Sequence, residues 1–229
     1  MHSKVIEISG HNLTLEKIKK VIFDNYQVFL SPEAYEKVRK TREFIDKSVG
    51  KDEIYYGITT GFGAFVGKIL AKDDSEQLQL NLLRSHACGV GPYVNKNIAR
   101  ATLLIRLNTL ARGNSGIRPE ILDLIVAFIN KNVIPKIPAK GSVGASGDLV
   151  PLSHMALALI GDPSATIEYN GREYTGSELK KILYNEIYKD IPNSENILPR
   201  KPNFEGPDPL IKLSYNCLLY TSPSPRDRG

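Results

Sequence analysis

The sequence predicts a mainly α-helical protein with a few short strands and glycine-rich loops, and three observations carry that expectation. Segments 74–87, 95–112 and 119–130 each place apolar residues at helical spacing, and three such helices in succession imply a bundle. The last of them is apolar almost all round, so it belongs in a buried position. Glycine crowds two stretches, at Gly57, Gly61, Gly63 and Gly67 and again at Gly141, Gly144 and Gly147, where the backbone can take conformations closed to other residues.

In chain order, residues 4–9 alternate and carry Val5, Ile6 and Ile8, the pattern of a short strand. Leu15, Ile18, Val21 and Ile22 make a helical stripe. Ser31 then caps a helix with Pro32 at its first position, Ala34, Val38, Ile45 and Val49 on its buried face, and Gly50 as its stop. The glycine-rich stretch 54–65 reads as a surface turn after a short strand or as a loop that aims Tyr56 into a site. Helix 74–87 has Leu78, Leu82 and Leu83 on its apolar side and ends in Ser85-His86-Ala87-Cys88-Gly89. Helix 95–112 turns Leu103, Leu107 and Leu110 inward and stops at Gly113. A further helix is expected from about Asp148 to Ile160, with Leu149, Leu152, Met155, Ala156 and Leu159 inward. Asn170-Gly171 marks a hairpin within 167–174, segment 177–188 is amphipathic, and the prolines of 190–209 imply an irregular connection.

The 229 residues are 41% hydrophobic and 24% charged, an ordinary globular composition. The net charge of +5 is interleaved along the chain, so neither nucleic acid nor a membrane surface is an expected partner. The longest apolar run, 121–129, is broken by Asp123 and too short to span a bilayer, and the N-terminal residues lack the apolar core of a signal peptide. Cys88 and Cys217 make no disulfide framework, and a cytoplasmic protein is expected.

The stretch with the most chemistry is Gly141-Ser-Val-Gly-Ala-Ser-Gly-Asp-Leu-Val-Pro-Leu-Ser-His154. At its centre, Ala145-Ser146-Gly147 can be read as a small-residue turn into a helix. It can also be read as an anion site at a helix start, although the Lys-Ser/Thr ending of a phosphate loop is missing and Asp148 would repel phosphate. A third reading is covalent. If the backbone bends tightly, the amide nitrogen of Gly147 can attack the carbonyl carbon of Ala145 and expel water. Ser146 then loses its hydroxyl as a second water and leaves an electrophilic methylidene-imidazolone. The N–H groups at the start of the following helix would favour negative charge on that ring.

This motif resembles the signature of the histidine and aromatic amino acid ammonia-lyase family. Tyr56-Gly-Ile-Thr-Thr-Gly-Phe-Gly63 is similar to the family's tyrosine loop, Asn81-Leu-Leu-Arg-Ser-His-Ala-Cys-Gly-Val-Gly91 to its substrate-side helix end, and Arg106-Leu-Asn-Thr-Leu-Ala-Arg-Gly-Asn-Ser-Gly116 also fits. The resemblance runs over roughly 4–216, in the family's order. It implies the N-terminal part of an ammonia-lyase-type fold, leading into a central helical bundle that is cut short.

It also implies site roles. Ala145, Ser146 and Gly147 form the electrophile autocatalytically, with no external cofactor and no metal, and it captures the substrate's α-amino group. Tyr56 is the base that removes a β-proton, His86 and Gly63 lie on the substrate side, and Asp148 either assists ring formation or caps the helix. His154 is assigned to structure. A homotetramer acting on a small amino acid is implied. Ser85-His86 resembles the histidine-specific members, which implies conversion of L-histidine to urocanate and ammonia. Thr59 departs from the Asn many of them carry, and the Arg-Ser-His form also occurs in tyrosine lyases and aminomutases. A tyrosine or phenylalanine lyase or 2,3-aminomutase is therefore the alternative, and a non-catalytic scaffold relative is another. A dinucleotide loop at Gly61, Gly63 and Gly67 fits poorly, because the third glycine is one place late.

Residues 217–227 read, residue for residue, as a translated transposon-end sequencing adaptor. The expected organisation is thus an electrophile-bearing portion over 1–216 and an adaptor-derived tail over 217–229, with the chain as given inactive and poorly soluble.

Overall fold

The computed structural model describes residues 4–48, 72–144, 147–199 and 201–211, and over these the chain is mainly α, as expected. The N-terminal strand β1 (Val5–Ile8) is followed by α1 (Leu15–Phe23), capped by Thr14, whose hydroxyl accepts from Lys17 N. The chain then returns as β2 (Gln27–Leu30), parallel to β1, with Ile6 opposite Val28 and Ile8 opposite Leu30. The sequence reading did not foresee β2. Its outer edge is met by a side chain, since Asn130 Oδ1 accepts from Val28 N (2.8 Å) and Asn130 Nδ2 donates to Val28 O (2.9 Å). Leu15 departs from its expected place on the buried stripe: at 79% exposed it lies outside the core that Val21 and Ile22 enter.

Helix α2 (Pro32–Ser48) starts as expected, with Ser31 Oγ accepting from Ala34 N (3.1 Å), and it buries Ala34, Val38 and Ile45. Val49, Gly50 and the glycine-rich loop 54–65, with Tyr56 and Gly63, lie outside the described residues.

Helix α3 (Lys72–His86) is rotated from the expected face. Leu83 is buried, but Gln79 and Leu80 join it inside while Leu78 and Leu82 are only partly covered. The sequence reading ranked Leu over Gln by hydropathy, whereas the packing of α3 against α6 sets the face. Strand β3 (Val90–Tyr93) follows, then α4 (Lys96–Leu110), whose cap Asn95 accepts from Asn97 N (2.8 Å), and α5 (Pro119–Asn130). Leu103, Leu107 and Leu110 of α4 and Leu122, Leu124, Ile125 and Phe128 of α5 are wholly buried, as their patterns required.

Two more short strands, β4 (Ile134–Pro135) and β5 (Pro138–Lys140), lead to α6 (Leu149–Leu159). Antiparallel pairing of β3 with β5 sets Val90 opposite Lys140 and so brings the end of α3 to the start of the Gly141 motif. The expected hairpin is β6 (Thr166–Tyr169) and β7 (Arg172–Thr175), turning on Asn170 (φ 51°) and Gly171 (φ 76°), the left-handed pair that a type I′ turn needs. Strand β4 extends this hairpin to three strands. Helix α7 (Gly176–Glu186) completes one contiguous core that reaches Ile211.

Candidate active site

The motif connects β5 to α6. Gly141, Gly144 and Gly147 all have left-handed φ, at 125°, 73° and 101°. Gly144 and Gly147 pair with each other as an antiparallel bridge, so the chain reverses across the two positions between them. Ala145 and Ser146, at those positions, lie outside the described residues. A Cβ at Gly144 or Gly147 would meet nothing within 4 Å, so it is conformation and not crowding that calls for glycine here. The reversal falls at the tripeptide where ring closure between Gly147 N and the Ala145 carbonyl is expected, and the flanking glycines fit such a step.

Asp148 holds an inverse γ-turn, with φ −86° and ψ 65°, across which Leu149 N donates to Gly147 O (3.0 Å). Its carboxylate makes no cap to α6 and accepts instead from Ser142 Oγ (2.6 Å), tying together the two legs of the loop. The capping role considered for Asp148 is therefore not the one its side chain takes. The start of α6 also offers fewer donors than an ordinary helix. Leu149 N–H is spent on Gly147, and Pro151 has none. Residues 141–144, 147 and 148 are exposed, Val143 by 90%.

The end of α3 stands against this loop. His86 Nδ1 lies 2.8 Å from Leu82 O and 3.2 Å from Ser85 Oγ. With Nδ1 engaged by the carbonyl, Nε2 is the ring nitrogen left for other partners. Beyond exposed Cys88, the backbone N–H of Gly89 donates to His154 Nε2 (3.1 Å). Burial holds the His154 imidazole below the usual histidine range, in keeping with a neutral acceptor. A Cβ on Gly141 would lie 3.2 Å from Gly89 Cα, so the two glycines let the strands touch. Two residues before His86, the chain is anchored again. Arg84 pairs with wholly buried Asp162 (2.8 Å) and donates to Pro207 O (2.6 Å).

The fold thus ties Gly89, three residues after His86, to His154, six residues after Asp148, and to Gly141. Ser142 and Gly89 were not among the expected site residues. No local pattern could have found the role of Gly89, because its bond to His154 spans 65 residues. A separate cleft of about 390 Å³ between α2 and the start of α5 is lined by charged residues including Arg39, Glu43, Asp46 and Glu120, and holds none of the motif. Among the described residues no group of three or more His, Cys, Asp or Glu is arranged to hold a metal ion, and no helix is long and apolar enough to cross a membrane.

The family profile for aromatic amino acid lyases matches residues 13–186. The chain belongs to the aromatic amino acid lyase family. Among curated members of that family, it is 46% identical over 175 residues to a histidine ammonia-lyase of Caldanaerobacter subterraneus subsp. tengcongensis, covering 76% of this chain and 34% of that one. It is 44% identical, with the same coverage, to a histidine ammonia-lyase of Alkaliphilus metalliredigens. This lyase-family chain thus spans about a third of the length of the curated relatives it matches. Its fold superposes on ergothionase from Treponema denticola with a TM-score of 0.75 at 29% identity, covering 94% of this chain and 39% of that one. Tyrosine aminomutase from Streptomyces globisporus gives 0.73 at 31% identity, covering 93% and 36%.

Proposed function

We propose that this chain is the electrophile-bearing N-terminal part of an ammonia-lyase that converts L-histidine to urocanate and ammonia. The observation that carries the proposal is the Gly144–Gly147 reversal, which bends the chain where Ala145-Ser146-Gly147 would have to cyclise. The methylidene-imidazolone made from those three residues supplies an electrophilic carbon that turns the substrate's amino group into a leaving group, and no external cofactor is needed. Around it the chain's own side chains divide the work. Asp148, anchored by Ser142, is placed at Gly147 to assist loss of water during ring formation. Tyr56 takes the β-proton. A free phenol has a pKa of about 10, so the site must favour its ionised form. His86 offers Nε2 to the substrate side chain, and Gly63 is the second substrate-side residue of the proposal.

Histidine is favoured because the curated relatives above carry that activity in their names and because Ser85-His86 is retained. The structural likeness to a tyrosine aminomutase supports a tyrosine or phenylalanine lyase or aminomutase as the second reading. In this proposal residues 1–216 are one portion of a longer chain, 217–229 are adaptor-derived, and the exposed residues 141–144, 147 and 148 are covered by the remaining polypeptide within a cytoplasmic homotetramer.

The test is intact mass and turnover of the complete protein. We expect the loss of two waters, localised to 145–147, and release of ammonia from histidine in preference to tyrosine or phenylalanine. Ser146→Ala cannot lose the second water, so it should never show the two-water mass deficit and should show no turnover. An unmodified wild-type mass would sink the proposal and leave a non-catalytic relative.

A further inference from the structure

We infer that His154 is a positioning residue that holds the His86-bearing corner in register with the electrophile loop by accepting the backbone N–H of Gly89. The inference rests on the ammonia-lyase reading for its consequence in catalysis, but the link itself is a matter of geometry.

Three segments meet at this corner. One is the end of α3, which runs from His86 through Cys88 to Gly89. The second is β5 with Gly141, and the third is α6, which begins directly after Gly147 and Asp148. They meet without slack. A Cβ on Gly89 would stand 2.9 Å from His154 Nε2 and 3.0 Å from Pro138 Cβ, and one on Gly141 would stand 3.2 Å from Gly89 Cα. Such contacts set how near the corner can come, and the hydrogen bond from Gly89 N to His154 Nε2 (3.1 Å) sets how far it can drift. His154 is half-buried, so water competes weakly for that bond. To accept, the ring must be bare at Nε2 and carry its hydrogen on Nδ1. That tautomer is a spectroscopic signature of the link.

His86 precedes Gly89 on the same helix end, and its ring is held by a bond to the carbonyl one turn back, at Leu82. A displacement of Gly89 is therefore passed to His86, while α6 keeps the electrophile loop where it is. The reacting groups would then lie slightly out of line, and even a small misplacement of that kind is costly to rate.

The experiment uses the complete protein and four forms: wild type, His154→Gln, His154→Asn and His154→Leu. The terminal amide of Gln reaches where Nε2 stands and can accept from Gly89, whereas Asn stops short at the place of Nδ1. Leu has no acceptor. Hydrogen exchange over residues 87–93, the 15N shifts of the His154 ring, intact mass and the separate values of kcat and KM are read for each. In wild type the ring should show a bare Nε2. Asn and Leu should speed exchange at Gly89 by about tenfold, the worth of one hydrogen bond. They should lower kcat by about tenfold or more with the two waters still lost from 145–147, and Gln should recover most of both. Wild-type exchange and kcat in His154→Leu, or equal losses in Gln and Leu, would overturn the inference. If the exchange pattern appears in a protein that deaminates no amino acid, the link stands and the ammonia-lyase reading fails.

Discussion

At the scale of single residues, two carboxylates differ in how they meet burial. Asp123 on α5 has an Oδ2 atom shut from solvent with no hydrogen-bond partner. Burial, with help from the nearby charge of Glu120, pushes its pKa from the usual 3.8 up to about 6. Its folded pKa lies above the unfolded one, so the folded state binds the proton more tightly. Stability is then fully present below about pH 4 and falls as pH rises through about 6. Asp123→Asn should raise the stability of the complete protein at pH 7.5 by about 1 kcal/mol, after discounting for partial exposure, and change it little at about pH 4. Thermal melts at the two pH values check this. Asp162 solves the same problem with partners. It is wholly buried, takes Arg84 on Oδ2, and accepts from Ser164 N (2.9 Å) and Oγ (2.5 Å) on Oδ1. Arg84→Met should cost about 3 kcal/mol because it strands that charge, and adding Asp162→Asn should return part of the loss in urea unfolding.

At the scale of elements, glycines with the same φ carry different loads. Gly171 (φ 76°) has open space where a Cβ would go, so Gly171→Ala should cost only the backbone term, about 1 kcal/mol. Gly113 (φ 75°) would set its Cβ 2.9 Å from the backbone carbon of Lys37, so Gly113→Ala must also displace α2 and should cost clearly more. Melting temperatures of the two variants decide it. These elements also show what could be read in the chain alone. Helices α4 and α5 and the Asn170-Gly171 hairpin were legible because the signal is local: apolar spacing in one case, a left-handed pair in the other. Strand β2 was not, since four residues hold too little pattern and its outer edge is satisfied by Asn130. The inward turn of Gln79 on α3 was hidden for a like reason, because tertiary packing overrode hydropathy. The motif at 141–154 announced itself by its residue types. The partner of its His154, Gly89, became visible only once β3 had paired with β5.

At the scale of the whole molecule, the site faces outward. The loop ahead of α6 is exposed, and α4 turns Ile98 (56% exposed) and Ile105 (51%) to solvent. Between them and beyond, Thr102 and Thr109 donate back to the carbonyls of Ile98 (3.0 Å) and Ile105 (2.9 Å), which hides their hydroxyls and leaves that face more apolar than its composition suggests. The 229-residue chain by itself should release no ammonia from histidine and should aggregate in light scattering, whereas the complete protein should release ammonia and scatter as one discrete assembly. Soluble, active 229-residue chain would contradict the proposed division of the site.

The clasp between Asn130 and Val28 has a consequence in time. The two residues are 102 positions apart, so as the chain leaves the ribosome β2 emerges long before the side chain that completes its edge. Until α5 has been made and has coiled as far as its last residue, the parallel β1–β2 pair has an open flank, and such non-local closure is slow. The first thirty residues in the sequence thereby wait for a residue made a hundred positions later, and a pause in translation before residue 130 would prolong that wait.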